Sequence, residues 1–119
     1  MEQSSKTLTF VVPAYNMETY LERCVESLLS ATDNSDIEVL IVDDGSSDGT
    51  PELADMYERR WPGNVRAIHQ VNKGHGGAVN TGIANATGMY VKVVDADDWV
   101  DMPSIDTLMG TLRVQRVAT

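Results

Sequence analysis

The sequence is poorest in cysteine, basic residues and long apolar runs, and each shortage excludes something. One cysteine, Cys24, permits neither an intramolecular disulfide nor a cysteine-built zinc site, so the chain suits a reducing compartment and the cytoplasm is its expected location. No apolar run reaches the roughly 18 residues of a membrane helix, so no transmembrane span or export signal is expected. Nine Lys and Arg stand against eighteen Asp and Glu, a net charge of -9, which disfavours nucleic acid and anionic membrane surfaces as partners. An anionic ligand must therefore bring a cation with it. The 119 residues fit one domain, and 42% hydrophobic with 23% charged residues supply an ordinary globular core. Residues 1–6 read as a disordered tail and 7–119 as the domain, with no linker, repeat or low-complexity stretch.

Four β-branched apolar runs alternate with four segments of helical period, in the order βαβαβαβα. The runs are Thr7 to Val12, Ile37 to Val42, Val65 to Val71 and Met89 to Val94. That alternation predicts a parallel sheet covered by helices, and the unbroken apolar stretches Phe10-Val11-Val12 and Val39-Leu40-Ile41-Val42 predict central strands. The first helix presents Tyr20, Leu21, Cys24, Val25, Leu28 and Leu29 on one face, which makes Cys24 a core residue rather than a nucleophile. The second is expected from Thr50 as cap with Pro51 in its first turn, turning Leu53, Tyr57 and Trp61 inward. The third, about Gly76 to Ala86, should bury Ala78, Val79, Ile83 and Ala86, its small residues allowing close approach to the sheet. The last starts near Pro103 with Ile105, Leu108, Met109 and Leu112 inward.

Polar and glycine-rich segments follow each strand: Pro13-Ala14-Tyr15-Asn16, Asp43 to Asp48, Asn72 to Gly77, and Asp95-Ala96-Asp97-Asp98-Trp99. In a parallel sheet these ends share one edge, which helix N-termini also face, so a ligand crevice is expected there. Asp43, Asp44 and Asp48 crowd one loop and Asp95, Asp97 and Asp98 another. Repelling carboxylates in such numbers suit a hard divalent cation, Mg2+ or Mn2+, itself a partner for a phosphate-bearing ligand. The plainer use of such residues is to cap helices and close turns, and Asp48 fits that role. Gly74 to Gly77 opens a helix and can either meet a phosphate beside Lys73 or simply give flexible entry to a tightly packed helix. It matches neither the dinucleotide fingerprint nor a P-loop. His69 alternates within a strand as a surface or half-buried residue, and His75 sits in the glycine loop. Trp99 either walls the crevice or plugs the end of the sheet.

The phrases Val11-Val12-Pro13-Ala14-Tyr15-Asn16, then Glu18 and Tyr20-Leu21, and Val42-Asp43-Asp44-Gly45-Ser46-Ser47-Asp48-Gly49-Thr50 resemble the opening of family 2 glycosyltransferases of the GT-A fold. Asn72-Lys73-Gly74, Ala78, Asn80 and Gly82-Ile83 resemble that family's third block, and Asp95-Ala96-Asp97-Asp98-Trp99 is similar to its metal-binding Asp-x-Asp signature. The resemblance implies an α/β, Rossmann-like parallel sheet with helices on both faces, truncated after the fourth βα unit. It implies a nucleotide-diphosphate sugar donor, usually a UDP-sugar, whose sugar passes to an acceptor hydroxyl with inversion. By position, Pro13, Tyr15 and Asn16 would line the nucleoside pocket and Asp44 would bond the uracil edge. Lys73 would lie near the base or diphosphate, Asp95 near the ribose or sugar, and Asp97 would coordinate Mn2+ or Mg2+ with Asp98 as a second ligand.

The family's second half, with acceptor contacts and catalytic base, is not in this sequence; no base follows Asp106, and one is expected beyond Thr119. The fragment alone is therefore expected to bind donor without transfer, to expose a sheet edge that favours self-association, and to meet the inner face of a membrane only through the missing parts. Two other readings are a receiver-like phospho-acceptor domain, which fits less well because its acidic pair would follow the first strand rather than the second, and a nucleotide-binding module without turnover, which suits the fragment as it stands.

Overall fold

The computed structural model describes residues 6–118, the side chains to Val117; Met1 to Ser5 of the expected tail lie outside the described residues. Lys6, assigned to that tail from sequence, is fixed: its ammonium donates to the carbonyls of Ser35 and Gly63, and its own carbonyl accepts from Met89.

The elements are β1 (Leu8–Ala14), α1 (Leu21–Leu28), β2 (Ile37–Asp43), α2 (Thr50–Arg60), β3 (Val65–His69), α3 (Gly74–Asn85), β4 (Tyr90–Val93) and α4 (Met102–Ala118). All strands are parallel and lie in the order β3-β2-β1-β4. β1 and β2 are buried along their whole lengths, as their unbroken apolar runs require of strands covered on both faces.

Period two divides the strands between two layers. Leu8, Phe10, Val12 and Ala14 join Ile37, Val39 and Ile41 in the larger core under α1, α2 and α4. Val11, Leu40 and Val42 face the other way, where Ala78 of α3 covers them. Strand order runs outward from β1 in both directions, so it reverses between β1 and β4, and the crevice opens beyond their C-terminal ends.

Several boundaries differ from the sequence expectation, each for a pairing reason. β1 continues through Pro13 and Ala14 because these pair with Val42 and Asp43. β3 stops at His69, opposite the last residue of β2, and Val71 beyond it is 83% exposed. Gly49, not Thr50, caps α2; Thr50 is its first residue, buried, with its hydroxyl accepting from the Met17 amide at 2.8 Å. α3 begins two residues early, at Gly74, and fully buries only Ala78 and Gly82, with Val79 half-buried and Ile83, expected inward, 51% exposed. Tyr20 also lies outward, while Leu21, Cys24, Val25 and Leu28 are buried as expected. Ile105 and Met109 carry α4 into the core, with Leu108 and Leu112 packed against it.

Candidate functional site

A cleft of about 370 Å³ opens at the C-terminal ends of β1, β2 and β4 and the start of α3. Pro13 and Tyr15 from β1 and its loop, Asp44 after β2, and Asp95 and Asp97 after β4 line it together. Thus the two acidic loops, separated by about half the chain, share one cavity. Asn16, Lys73 and Asp98, also expected at the site, are not among the residues that line it.

Asp44 is the buried carboxylate of the cleft, 2% exposed. Its Oδ1 accepts from Gln70 Nε2 at 2.9 Å and from the Lys73 amide at 2.7 Å. Burial pushes its pKa up, but the bonds from Gln70 and from the amides of Lys73 and Gly74 outweigh that and hold it below the ordinary carboxylate range. Asp44 is therefore a carboxylate anion held in the cleft by protein donors, two of them at Oδ1. Lys73 meets the site through its main chain.

Asn16 braces the rim. It has φ 53, a left-handed conformation that asparagine tolerates better than most residues. Its amide donates to Ser46 Oγ at 3.0 Å, and its Oδ1 accepts from the Ser47 amide at 2.8 Å, tying the β1 loop to the β2 loop. Asp48 serves its own turn: Oδ1 accepts from the Thr50 amide and Oδ2 from the Glu18 amide. Asp43 faces away from the cleft, toward His69.

Asp95, Asp97 and Asp98 each bring a carboxylate oxygen within 4.8 Å of the others, and all three are exposed. An all-oxygen, triply anionic set of this size fits a hard divalent ion such as Mg2+ or Mn2+. His75 lines the cleft, its Nε2 3.8 Å from Asp95, a contact too long for a hydrogen bond. Trp99 neither walls the cleft nor plugs the sheet; it is 56% exposed under the Arg23 guanidinium, 3.7 Å from the ring centroid. Cys24 is core as expected: burial, then the charges of Asp98, Asp97 and Asp95, push its thiol up to about 12.

Sequence reading missed Gln70 and Asn72, which support Asp44. Gln70 donates to its carboxylate, and Asn72 donates from Nδ2 to its main-chain oxygen at 3.1 Å. Gly45, at φ +75, lies so close to Asn72 that a Cβ would come within 2.8 Å of that residue's nitrogen. The sequence signal was faint: two amides beside a glycine turn are ordinary loop composition.

Comparison with known proteins shows the family. The family model "Glycosyl transferase family 2" matches residues 9–117. The glycosyltransferase EpsJ of Bacillus subtilis is 45% identical over 93 residues, 78% of this chain and 26% of that protein. The structure of S. aureus TarS residues 1-349 in complex with UDP-GlcNAc superposes with a TM-score of 0.80 at 26% identity, over 90% of this chain and 31% of that one. The mannosyltransferase PcManGT of Pyrobaculum calidifontis, in complex with GDP-Man and Mn2+, gives 0.75 at 27% identity, over 91% and 32%. The chain thus spans less than a third of each of these proteins. Its parallel sheet with helices on both faces is the Rossmann-like GT-A fold. Because the match runs from β1 to the end of α4 rather than over a single motif, the chain belongs to glycosyl transferase family 2.

Proposed function

We propose that the cleft holds the nucleoside diphosphate end of a sugar donor, a UDP-sugar, and that the whole protein transfers the sugar to an acceptor hydroxyl with inversion. The observation that supports this most is the shared cavity, with a buried anionic Asp44 on one wall and Asp95 and Asp97 on another, next to Asp98. Pro13, Tyr15 and Asn16 would bound the nucleoside, with the Asp44 carboxylate accepting the imide N–H of uracil. Lys73 and the amide end of α3 would lie toward the diphosphate, where the helix dipole favours negative charge. Asp95 would approach the ribose or sugar, and Asp97 with Asp98 would hold Mn2+ or Mg2+. The bound ion would neutralise charge developing on the departing diphosphate, which these carboxylates alone repel. No observation favours a receiver-like phospho-acceptor, since the acidic pair follows β2.

Calorimetry of the chain with UDP-GlcNAc and Mn2+ tests the reading. Binding is expected that chelation abolishes and that Asp97→Ala weakens by about tenfold or more, a loss of about 1.4 kcal/mol. No detectable binding with metal present, or unchanged binding by Asp97→Ala, refutes the assignment.

A further inference from the structure

His69 ends β3 behind the wall that carries Asp44, and both of its ring nitrogens meet carboxylates. Nδ1 lies 2.7 Å from Asp43 Oδ2 and Nε2 lies 2.7 Å from Asp55 Oδ1. A neutral imidazole has a single N–H, so it satisfies one contact and sets a lone pair against the other anion; the imidazolium satisfies both. Asp43 is only 3% exposed, so the neutral ring keeps its single N–H on Nδ1 toward Asp43 and turns its lone pair to Asp55; deprotonation then weakens the Asp43 bond by removing the ring's charge.

Asp43 is also the joint between the two supports of the cleft. Its Oδ1 accepts from the Ser46 amide at 3.0 Å, and Ser46 Oγ in turn accepts from Asn16. Its main-chain oxygen accepts from the Gln70 amide at 3.0 Å, and the Gln70 side chain donates to Asp44. The His69 ring therefore backs the residue from which both supports of Asp44 lead, without touching the cleft.

We propose that His69 is a positioning residue whose imidazolium form holds Asp43, and through it Ser46 and Gln70, in the arrangement that binds donor, so that donor affinity falls when His69 loses its proton. This rests on the donor-site reading above. The charged groups facing the ring are Asp43 of β2 and Asp55 of α2, while the neighbouring Glu58 of α2 is engaged with the Ala67 amide. The hydrogen bonds to Asp43 and then Asp55 raise the His69 pKa above 6.5, against the pull of burial. A raised pKa means that the braced form is complete at low pH and is lost as pH rises through the shifted value.

The test pairs UDP-GlcNAc calorimetry in Mg2+, from about pH 6 to about pH 9, with NMR titration of the histidine rings and backbone amides of the same chain. Donor affinity is expected to fall about fivefold or more across the His69 midpoint read by NMR, with the Ser46 and Asn16 amides following that midpoint. His69→Gln should flatten the profile. Asp55→Asn, which leaves the Asp43 contact, should move the NMR and affinity midpoints down together; a merely structural histidine would lower stability at every pH and move neither. A flat wild-type profile with donor bound, or a His69 midpoint at or below 6.5, overturns the proposal. If UDP-GlcNAc binds at no pH, the donor-site reading is what has failed. The amide titration then decides the bracing alone: Ser46 and Asn16 shifts that follow His69 support it, and fixed shifts refute it.

Discussion

Gly82→Ala is the sharpest single test of how the cleft is built. On an exposed helix face alanine in place of glycine stabilises by about 1 kcal/mol. At Gly82 the new Cβ would stand 2.2 Å from Val11 Cγ1, 3.1 Å from its Cγ2 and 3.2 Å from its Cβ. Val11 is fully buried in the middle of β1, paired with Leu40 on one side and Val93 on the other, so it cannot withdraw. Restoring an ordinary carbon separation of about 3.5–4.0 Å requires α3 to retreat by more than about 1 Å. A 2.2 Å contact that Val11 cannot relieve puts the overpacking cost at the upper end, about 2–3 kcal/mol, which outweighs the propensity gain and leaves a net loss of about 1–2 kcal/mol. Because α3 also carries Gly74, His75 and Ala78 into the cleft lining, the same retreat should weaken donor binding.

Urea denaturation reads the stability as a lower midpoint at unchanged slope. Gly110→Ala is the control: it lies in α4 with nothing within 4 Å of its would-be Cβ, and should stabilise by up to about 1 kcal/mol. Val11→Ala makes room for the new methyl group, so the double variant with Gly82→Ala should be more stable than the sum of the single losses, by about 1–2 kcal/mol. A Gly82→Ala protein as stable as the parent, or single effects that simply add, would refute the close-packing argument.

Two further outcomes follow from the same packing. Glu38, 5% exposed, accepts from Thr9 Oγ1, the Thr87 amide and Arg66 Nε; burial raises its pKa, but those bonds prevail and hold it below 4.5. Its contribution is then complete above pH 4.5 and lost as pH falls through the lower folded value, so the stability advantage of wild type over Glu38→Gln should shrink below pH 4.5; an advantage constant across that range contradicts the network. On β4, Val91 and Val93 lie on the α3 side at 41% and 38% exposure, and among the described residues no strand pairs with the outer edge. Light scattering should show self-association of this chain that rises with concentration and recedes in Val93→Lys; a concentration-independent monomer mass rules that out.

What the sequence showed well was whatever periodicity controls. Unbroken apolar runs marked β1 and β2, and Leu21, Cys24, Val25 and Leu28 recur at a spacing that only one helix face can bury. The layering of loops at one sheet edge followed from alternation, and with it the meeting of Asp44 and Asp97. Hidden were features set by partners distant in sequence. Val71 is as apolar as any strand residue, yet β2 has ended before it and leaves it exposed. Ile83 has the spacing of a core residue, but Gly82 draws α3 onto Val11 and little else lies over β4 to cover it. Asn16 carries no sequence mark of a brace, because its bonds go to serines in another loop.

Asp43 and Asp44 show how one loop serves both the fold and the ligand. Strand alternation does not stop at the last paired residue, so Asp43 continues the face of Val39 and Ile41, and Asp44 that of Leu40 and Val42. The first face leads under α2, where Asp43 meets His69 beside Asp55; the second leads to the start of α3, where Asp44 takes the Lys73 amide. Reading the loop as a single acidic cluster treats these carboxylates as neighbours in charge, whereas the pleat sends them to opposite sides of the sheet, and each is answered by its own donors. The crowding that persists after β4, where three exposed carboxylates converge, is therefore relieved after β2 by geometry and hydrogen bonds. Charge count alone would allow the proposed cation at either loop; geometry favours the loop of Asp97.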